Sequence, residues 1–390
     1  MSFRLVPDLD LPSDWRGGRF LGRIDLGDGP VPILVEHGEV FDMSRVTPTV
    51  AELVATGGYH TPGDSLGPLD RLDVGTGTNA RVRLLAPIDL QCVKAAGVTF
   101  AVSALERVIE ERARGDAGQA AEVRARLEGR IGGSLRRVEP GSAAATALKA
   151  ALIDAGMWSQ YLEVAIGPDA EIFSKCPPLA ALGWGAEIGV RSDSTWNNPE
   201  PEVVLLCTPE GRAVGATLGN DVNLRDFEGR SALLLSKAKD NNASTAIGPL
   251  IRLFDDDFTM ADVRTAEVSL RIEGEDGYVL DGTSSMREIS RDPEELARQA
   301  MSEHQYPDGF VLFLGTLFAP TQDRDEPGRG FTHKLGDRVT IATPALGRLV
   351  NRVTTSKAAA PWTFGIGALM RNLADRGLLA APSTGVPLRD

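Results

Sequence analysis

Short apolar runs separated by turn residues fill most of this 390-residue chain. From Tyr161 onward each run is ended by Gly, Pro or Asp, which predicts a series of short β-strands. Residues 1 to about 88 show a similar pattern and are predicted to form short strands with one helix. The Ala86-Pro87-Ile88-Asp89 step is the predicted boundary, so a small domain of residues 1–88 precedes a larger one of residues 89–390.

A helical pattern interrupts the larger region near its start. Residues 102–127 are rich in Ala, Glu and Arg, and their apolar positions recur with a period of 3.6 residues. Residues 142–155 predict a second helix. We therefore predict a helical insert at about residues 102–157. A further helix is predicted at Pro293–Gln305, with Asp292 as its N-cap.

Three carboxylates lie among residues that favour strands. Glu200 and Glu202 are two positions apart, so on a strand their side chains leave the same face. Asp221 follows a second apolar run, about one hairpin further along the chain. One interpretation is a solvated strand with an acidic outer face. The apolar run Val203–Leu206 favours a buried strand instead, where a divalent cation would offset the cost of crowding these charges. Glu200, Glu202 and Asp221 are therefore the predicted metal ligands.

The type of ligand atom limits both the choice of metal ion and the class of substrate that the ion can bind. Carboxylate oxygens without nitrogen or sulfur favour Mg²⁺, with Mn²⁺ and Ca²⁺ as alternatives. Three carboxylates leave about half of an octahedral coordination sphere open. A 2-oxo acid can fill it through its carboxylate and keto oxygens, and the ion would then polarise the ketone and acidify the C3–H bond. We expect a small-molecule 2-oxo acid as substrate.

Composition argues against several other classes of protein. The net charge of −13 disfavours nucleic-acid binding, because a phosphate backbone would be repelled. No apolar run approaches the roughly 18 residues of a membrane span, and the N-terminal residues lack a signal-peptide core. We therefore expect a cytoplasmic protein without membrane contact. Three scattered cysteines and four histidines without zinc-binding spacing argue against a zinc site or a disulfide framework.

The acidic residues belong to an ordered set of motifs. The set comprises Glu200 and Glu202; Asn220-Asp221 with Arg225-Asp226; Lys239, nine residues before Gly248-Pro249; Ile172–Pro178; Gly282–Met286; Gly315-Thr316; and Lys334–Val339. From roughly Leu90 onward this order resembles the fumarylacetoacetate hydrolase superfamily. The resemblance implies an α+β fold with a β-rich, fumarylacetoacetate hydrolase-like C-terminal domain, a rolled mixed sheet that holds the metal, after a small N-terminal α+β domain. It also implies a homo-oligomer, either a dimer or a dimer of dimers.

One segment separates two branches of this family. Hydrolases of the family usually carry a histidine that activates water, in a segment that corresponds to Gly97–Glu106 here. Ser103 stands at the histidine position and has no general-base capacity near neutral pH. This segment and the helical insert resemble the 2-keto-3-deoxypentonate (sugar-acid) dehydratases. The resemblance implies a lyase of sugar-acid catabolism, in pentose degradation, that converts 2-keto-3-deoxypentonate to 2,5-dioxopentanoate through a metal-stabilised enolate.

Two alternatives to a dehydratase remain open. The same metal site could serve a diketo-acid C–C hydrolase of acylpyruvate or fumarylacetoacetate type, or an oxaloacetate-type decarboxylase. A hydrolase would need a base other than Ser103. The second alternative is a non-enzymatic module stabilised by the metal, and the intact carboxylates together with Lys239 argue against it.

The resemblance assigns proton-transfer roles to two residues. Lys239 is expected to face the substrate as the base at C3, where a nearby cation would lower its pKa. The alternatives for Lys239 are a solvated side chain or a pair with Asp240. Glu106, one turn beyond Ser103, is expected to protonate the departing hydroxyl; the alternative is a salt-bridged glutamate on a surface helix.

Four further residues are expected at or near the substrate. Lys175 and Thr316 would hold its carboxylate end. Ser103 would at most hydrogen-bond a substrate hydroxyl or a water. Arg225 would orient a metal ligand from behind or pair with Asp226.

Overall fold

The computed structural model describes residues 3–76, 80–101, 103–114, 116, 118–120, 122, 138–154, 156, 158–318, 320 and 322–379. At residues 103, 105–107 and 110 it describes the backbone alone.

The described strands, numbered along the chain, are β1 Arg19–Asp25, β2 Pro30–Glu36, β3 Glu39–Asp42, β4 Asp64–Pro68, β5 Val74–Gly75, β6 Val82–Leu84, β7 Cys92–Gly97, β8 Glu171–Cys176, β9 Glu187–Val190, β10 Asn197–Asn198, β11 Pro201–Cys207, β12 Ala213–Asp221, β13 Asn223–Leu224, β14 Thr245–Leu253, β15 Glu267–Glu273, β16 Val279–Ser285, β17 Phe310–Phe313, β18 Arg338–Thr343 and β19 Gly347–Thr355. The described α-helices are α1 Pro7–Asp10, α2 Val50–Thr56, α3 Ser103–Arg112, α4 Ala143–Asp154, α5 Gln160–Ile166, α6 Arg225–Glu228, α7 Leu235–Lys239, α8 Met260–Thr265, α9 Pro293–Met301 and α10 Ile366–Asp375.

A large mixed sheet forms the body of the described structure. Ten strands follow the order β4-β3-β2-β1-β14-β12-β11-β17-β7-β8, and β6 and β5 extend the sheet from β1. Most neighbours are antiparallel, whereas β17 and β7 pair in parallel. Because β1 bonds to β14, strands from the N-terminal region and from the segment with the acidic motifs share one sheet.

A second sheet packs on one face of the first. Its strands follow the order β16-β15-β18-β19-β9. Val203 and Leu205 of β11, Leu270 of β15 and Ile341 of β18 belong to one buried apolar cluster between the sheets. Val204 belongs to a second cluster, which includes residues of α2 on the opposite face. Both faces of β11 are therefore covered, and the buried strand predicted from its apolar run is confirmed.

The helical insert packs through an apolar cluster of its own. Ile109 of α3, Leu152 of α4 and Leu162 of α5 are buried together with Trp196, which directly precedes β10. Trp196 thus connects the insert to the segment that carries Glu200 and Glu202. Much of the middle of the predicted insert lies outside the described residues, and the described residues near its two ends form α3 and α4.

Other predicted elements agree with the structure in type and differ at their ends. The helix predicted at Pro293 begins there, and the Asp292 side chain caps it by accepting from the N–H groups of Glu294 and Glu295. It ends at Met301 rather than Gln305.

The predicted α+β fold with mixed sheets is confirmed, while the division at residue 88 stays a prediction. In the described part of the chain, no helix combines the length and the apolar character that crossing a bilayer requires.

Candidate metal centre

Glu200, Glu202 and Asp221 converge where β11 begins and β12 ends. Glu200 directly precedes β11, Glu202 is its second residue, and Asp221 is the last residue of β12. The strands pair antiparallel, and the Asp221 backbone N–H donates to the Glu200 carbonyl over 3.0 Å. One carboxylate oxygen of each residue lies within 4.8 Å of the others, and all three side chains are buried. The structure therefore brings the three predicted ligands together.

The electrostatics of this group favour the binding of a cation. Burial raises the pKa of Glu202 well above its usual range, and the neighbouring carboxylates of Asp221 and Glu200 raise it further. Lys239 and the N–H of Gly315 lower this pKa only in part. A divalent ion would relieve the repulsion among three buried carboxylates more effectively than these neighbours do.

Lys239, the last residue of α7, is buried against the carboxylates. Its ammonium group donates to Glu200 and to Asp221 Oδ2, the latter over 3.1 Å. Only 3% of the residue is exposed, so the alternative of a solvated lysine is wrong. The lysine also lines the cleft in front of the carboxylates. It is therefore adjacent to any ion that they would hold.

Lys175, from β8, lies behind the same carboxylates. Its ammonium group donates to the backbone carbonyls of Lys239 and Ser244, and it lies 3.1 Å from Asp221 Oδ1. The residue is fully buried and is not part of the cleft lining. This position favours a role in orienting Asp221 over the predicted contact with the substrate carboxylate.

Gly315 links the segment after β17 to Glu202. Its backbone N–H donates to Glu202 Oε2 over 2.6 Å. The residue has φ +85°, and a Cβ atom there would lie 2.1 Å from Thr99 Oγ1. Only glycine tolerates both this conformation and this close approach. The chain thus directs a backbone donor at one of the candidate ligands.

The donor set fits a divalent cation that prefers oxygen ligands. Among the described residues, Glu200, Glu202 and Asp221 are the one group of at least three potential ligands close enough to share an ion. Asp221 Oδ1 is buried and lies 3.1 Å from the Lys175 ammonium group, and a carboxylate oxygen has a second lone pair that a metal can use. Carboxylates without nitrogen or sulfur suit Mg²⁺, Mn²⁺ or Ca²⁺.

A cleft opens in front of the carboxylates. Thr316 and Arg225, both expected near the substrate, contribute to its lining. The Arg225 guanidinium lies 4.2 Å from the centre of the Trp196 ring. Asp226 accepts from Ser194 and from the N–H of Thr195, rather than from Arg225 as one alternative proposed.

Arg324, eight residues beyond Thr316 in the sequence, pairs with two carboxylates. Its guanidinium donates to both carboxylate oxygens of Asp337, at 2.6 and 2.8 Å, and to Asp276 at 3.1 Å. His333 Nδ1 lies 3.1 Å from the same Asp337 carboxylate. Burial alone would raise the pKa of Asp337, but hydrogen bonds from Arg324 and His333 outweigh it, and the pKa lies below its usual range. Burial lowers the pKa of His333 and favours its neutral form, although the Asp337 carboxylate acts in the opposite direction.

Ser103 and Glu106 lie in the first turns of α3, which follows β7 after a short connection. Ala96, Gly97 and Val98 at the end of β7 line the cleft, so the helix begins near it. The side chains of Ser103 and Glu106 lie outside the described part of the chain. The roles expected of them stay predictions.

Four polar residues that line the cleft were not predicted from the sequence. Asn198, Asn223, Glu171 and Glu228 line the cleft together with the predicted ligands. A signal was available for the two asparagines, because Asn198 is two positions before Glu200 and Asn223 two positions after Asp221. Alternation along a strand places such neighbours on one face.

Residues 157–354, about half of the chain, match the family model of the fumarylacetoacetate (FAA) hydrolase C-terminal domain. The chain belongs to the fumarylacetoacetate hydrolase family, as the ordered motifs had indicated.

Two curated relatives share part of the sequence. A probable 2-keto-3-deoxyxylonate dehydratase of Haloferax volcanii is 32% identical over 202 residues, which cover 52% of this chain and 66% of the relative. A 2-dehydro-3-deoxy-D-arabinonate dehydratase of Saccharolobus solfataricus is 32% identical over 154 residues, which cover 40% of this chain and 51% of the relative. The chain thus spans between half and two thirds of the length of these relatives.

A solved structure shares the fold. A 2-keto-3-deoxy-D-arabinonate dehydratase complexed with magnesium and 2,5-dioxopentanoate matches 86% of this chain and 99% of its own, with a TM-score of 0.61 and 22% identity. This likeness supports the α+β architecture described above.

Proposed function

We propose that the chain is a divalent-metal-dependent dehydratase that converts 2-keto-3-deoxypentonate into 2,5-dioxopentanoate and water. Such an enzyme is a hydro-lyase of sugar-acid catabolism. The names of the two curated relatives support this proposal, as does the solved relative that holds magnesium and 2,5-dioxopentanoate. Mg²⁺ is the ion that we propose for the three carboxylates.

One observation at the site carries the proposal. Lys239 is buried in contact with Glu200 and Asp221 and also lines the cleft. Among the described residues that line the cleft, none is a histidine. Dehydration needs a base at C3 of the substrate, whereas C–C hydrolysis needs a group that activates water. The position of Lys239 meets the first requirement.

The proposed proton transfers follow from these positions. An ion bound by Glu200, Glu202 and Asp221 would supply Lewis-acid polarisation of the substrate ketone. A divalent cation held by these carboxylates would disfavour the ammonium form of Lys239, and its neutral amine could then take a proton from C3. Loss of the C3 proton leaves its electron pair in an enolate at C2–C3, and these electrons then form the C3–C4 double bond as the C4–O bond breaks. Glu106 is the proposed donor to the hydroxyl, which leaves as water, and tautomerisation of the product then places an aldehyde at C5.

A C–C hydrolase acting on diketo acids is the second candidate. Glu171 and Glu228 also line the cleft, so carboxylates that could activate water are present. An oxaloacetate-type decarboxylase on the same carboxylates would need no such base. These activities differ in the mass of their products.

The proposal is tested by incubating the purified chain and Mg²⁺ with 2-keto-3-deoxypentonates of both C4 configurations, 2-keto-3-deoxyhexonates, acylpyruvates and oxaloacetate. We expect loss of one water from a pentonate, detected by mass spectrometry, and no such loss with the Glu202→Gln variant. Cleavage of acylpyruvates with gain of water, without dehydration of any sugar acid, would identify a hydrolase. Release of carbon dioxide from oxaloacetate alone would identify a decarboxylase.

A further inference from the structure

Two buried asparagines line the cleft without a role in the proton transfers above. Asn198 and Asn223 are 2% and 1% exposed. The side-chain carbonyl oxygen of each has no hydrogen-bond partner among the described residues. A buried acceptor without a partner is costly, so two of them in one cleft indicate that a bound molecule completes their hydrogen bonding.

The pairing of β10 with β13 places these side chains together. Asn198 is directly opposite Asn223 in this antiparallel ribbon. Directly opposed residues project from the same face. Asn198 precedes Glu200 by two residues, Asn223 follows Asp221 by two, and all four residues line the same cleft. The asparagine pair therefore borders the metal centre within the same cleft.

The unpaired side-chain carbonyl oxygens indicate which groups of a substrate could bind to this pair. The Asn198 side-chain amide donates to the Pro199 carbonyl over 2.8 Å, which leaves its carbonyl oxygen as the unpaired atom. An acceptor needs a donor, and the carboxylate and keto oxygens of a 2-oxo acid carry no proton. Hydroxyl groups can donate. In a 2-keto-3-deoxypentonate they lie at C4 and C5, at the end of the molecule away from the group that would chelate an ion.

We propose that the Asn198–Asn223 pair binds the hydroxyl groups of the substrate and selects hydroxylated 2-oxo acids over unsubstituted ones. The inference rests on the proposed function, because it assumes a 2-keto-3-deoxy sugar acid in the cleft. The pair positions and selects the substrate, while proton transfer is left to other residues. A donor bound here also holds the C4 and C5 end of the chain at a fixed place relative to Lys239.

The test compares two five-carbon ligands, 2-keto-3-deoxypentonate and 2-oxopentanoate, which lacks both hydroxyls. With Mg²⁺ present, Asn198→Ala and Asn223→Ala should each raise KM for the hydroxylated substrate by about tenfold, and the double variant should raise it further. The dissociation constant of 2-oxopentanoate, and its solvent deuterium exchange at C3, should stay within about twofold of the parent protein, because this ligand makes no hydroxyl contact.

Asn197 offers a matched control on the same ribbon. Its side chain contacts Ser194 Oγ and the backbone N–H of His333 and is not part of the cleft lining. Asn197→Ala should therefore leave the preference between the two ligands unchanged, even where it lowers stability. Asn223→Ser keeps a small hydrogen-bonding group and should recover part of the preference that Asn223→Ala loses.

Two results would overturn the inference. Equal losses for both ligands would mean that the asparagines act on the metal centre, for example through an ordered water, and an unchanged preference would mean that they do not contact hydroxyls. Failure of the proposed function is a separate result. If the parent protein dehydrates no sugar acid, the binding comparison between the two ligands still decides whether the pair recognises hydroxyl groups.

Discussion

Gly315 has a positive φ, and its backbone N–H donates to Glu202. We expect Gly315→Ala to lower the free energy of unfolding by about 1–3 kcal/mol, because the added Cβ is strained and meets the Thr99 hydroxyl. Mg²⁺ affinity should also fall, since Glu202 loses its aligned N–H donor. Chemical denaturation and a calorimetric Mg²⁺ titration measure the two effects.

Gly277 supplies a control for that experiment. It has φ +82°, close to that of Gly315, but a Cβ there would meet nothing within 4 Å. Gly277→Ala should cost about 1 kcal/mol through backbone strain and leave Mg²⁺ affinity unchanged. If both variants bind Mg²⁺ equally well, the Gly315 N–H does not contribute to the metal centre.

Lys239 can be tested separately from the metal ligands. Lys239→Ala should abolish both dehydration and solvent deuterium exchange at C3, because no other described lysine lines the cleft. Binding of the 2-oxo acid in the presence of Mg²⁺ should persist, since the carboxylates remain. Exchange is followed by NMR, and Lys237→Ala, which removes an exposed lysine on the same helix, is the control. Persistent exchange at C3 in the Lys239 variant would assign the base to another group.

The sequence allowed us to predict the facing of side chains whose orientation follows from alternation along a strand. Glu200 and Glu202 share a face for that reason, and the apolar run beside them indicated that the face is buried. The position of Lys175 could not be predicted, because a register shift between β7 and β8 affects which side its part of β8 faces. Asn198 and Asn223 meet only through a two-residue ribbon, a tertiary contact that neither local pattern contains.

At the scale of elements, Arg324 and Asp337 form an ion pair beyond β17 whose two side chains are both almost fully buried. The Arg324 side chain is 1% exposed, and that of Asp337 is fully buried. We expect Arg324→Met to lower the free energy of unfolding by about 3–5 kcal/mol, because it leaves the Asp337 carboxylate buried without its cation. Arg271→Met removes an exposed pair with Asp281 and should cost below about 1 kcal/mol.

The same ion pair predicts a dependence of stability on pH. Since the folded pKa of Asp337 is lowered, its contribution to stability is present above its unfolded pKa, about 3.9, and is lost as the pH falls through the folded value. We expect the unfolding free energy of the parent protein to fall on acidification below about pH 4, and less so in Arg324→Met. Urea titrations between pH 3 and pH 6 measure both slopes. Identical slopes would show that this pair does not control acid stability.

Local sequence patterns predict where some elements begin but not how the strands are ordered in the sheets. The start of α9 was predictable, because Asp292 and Pro293 act within one turn of the helix. The order of the strands was not, because β1 bonds to β14, more than two hundred residues away in the sequence. Such pairings are set by the burial of both faces of the sheet rather than by any local motif.

For the whole molecule, the candidate metal centre lies on strands in the middle of the large sheet. β11 and β12 are neighbours there, flanked by β17 and β14. The carboxylates at the ends of these strands repel one another, and Lys175 and Lys239 offset that repulsion without an ion. Because unfolding separates the ligands, an ion that binds all three binds only the folded chain. Metal binding should therefore stabilise the fold as a unit.

This linkage gives a measurement that does not depend on catalysis. After treatment with EDTA and dialysis, added Mg²⁺ should raise the melting temperature, and at about 100 times the dissociation constant the gain in free energy is about 2.7 kcal/mol. Glu202→Gln should lose this response, because one of the three anionic ligands is gone.

Without metal, the Glu202→Gln variant should be at least as stable as the parent. The substitution removes one of three crowded charges, and its amide oxygen still accepts from the Gly315 N–H. Thermal scans at constant ionic strength separate these effects from general screening, and an equal response to Mg²⁺ in both proteins would place the stabilising ion elsewhere.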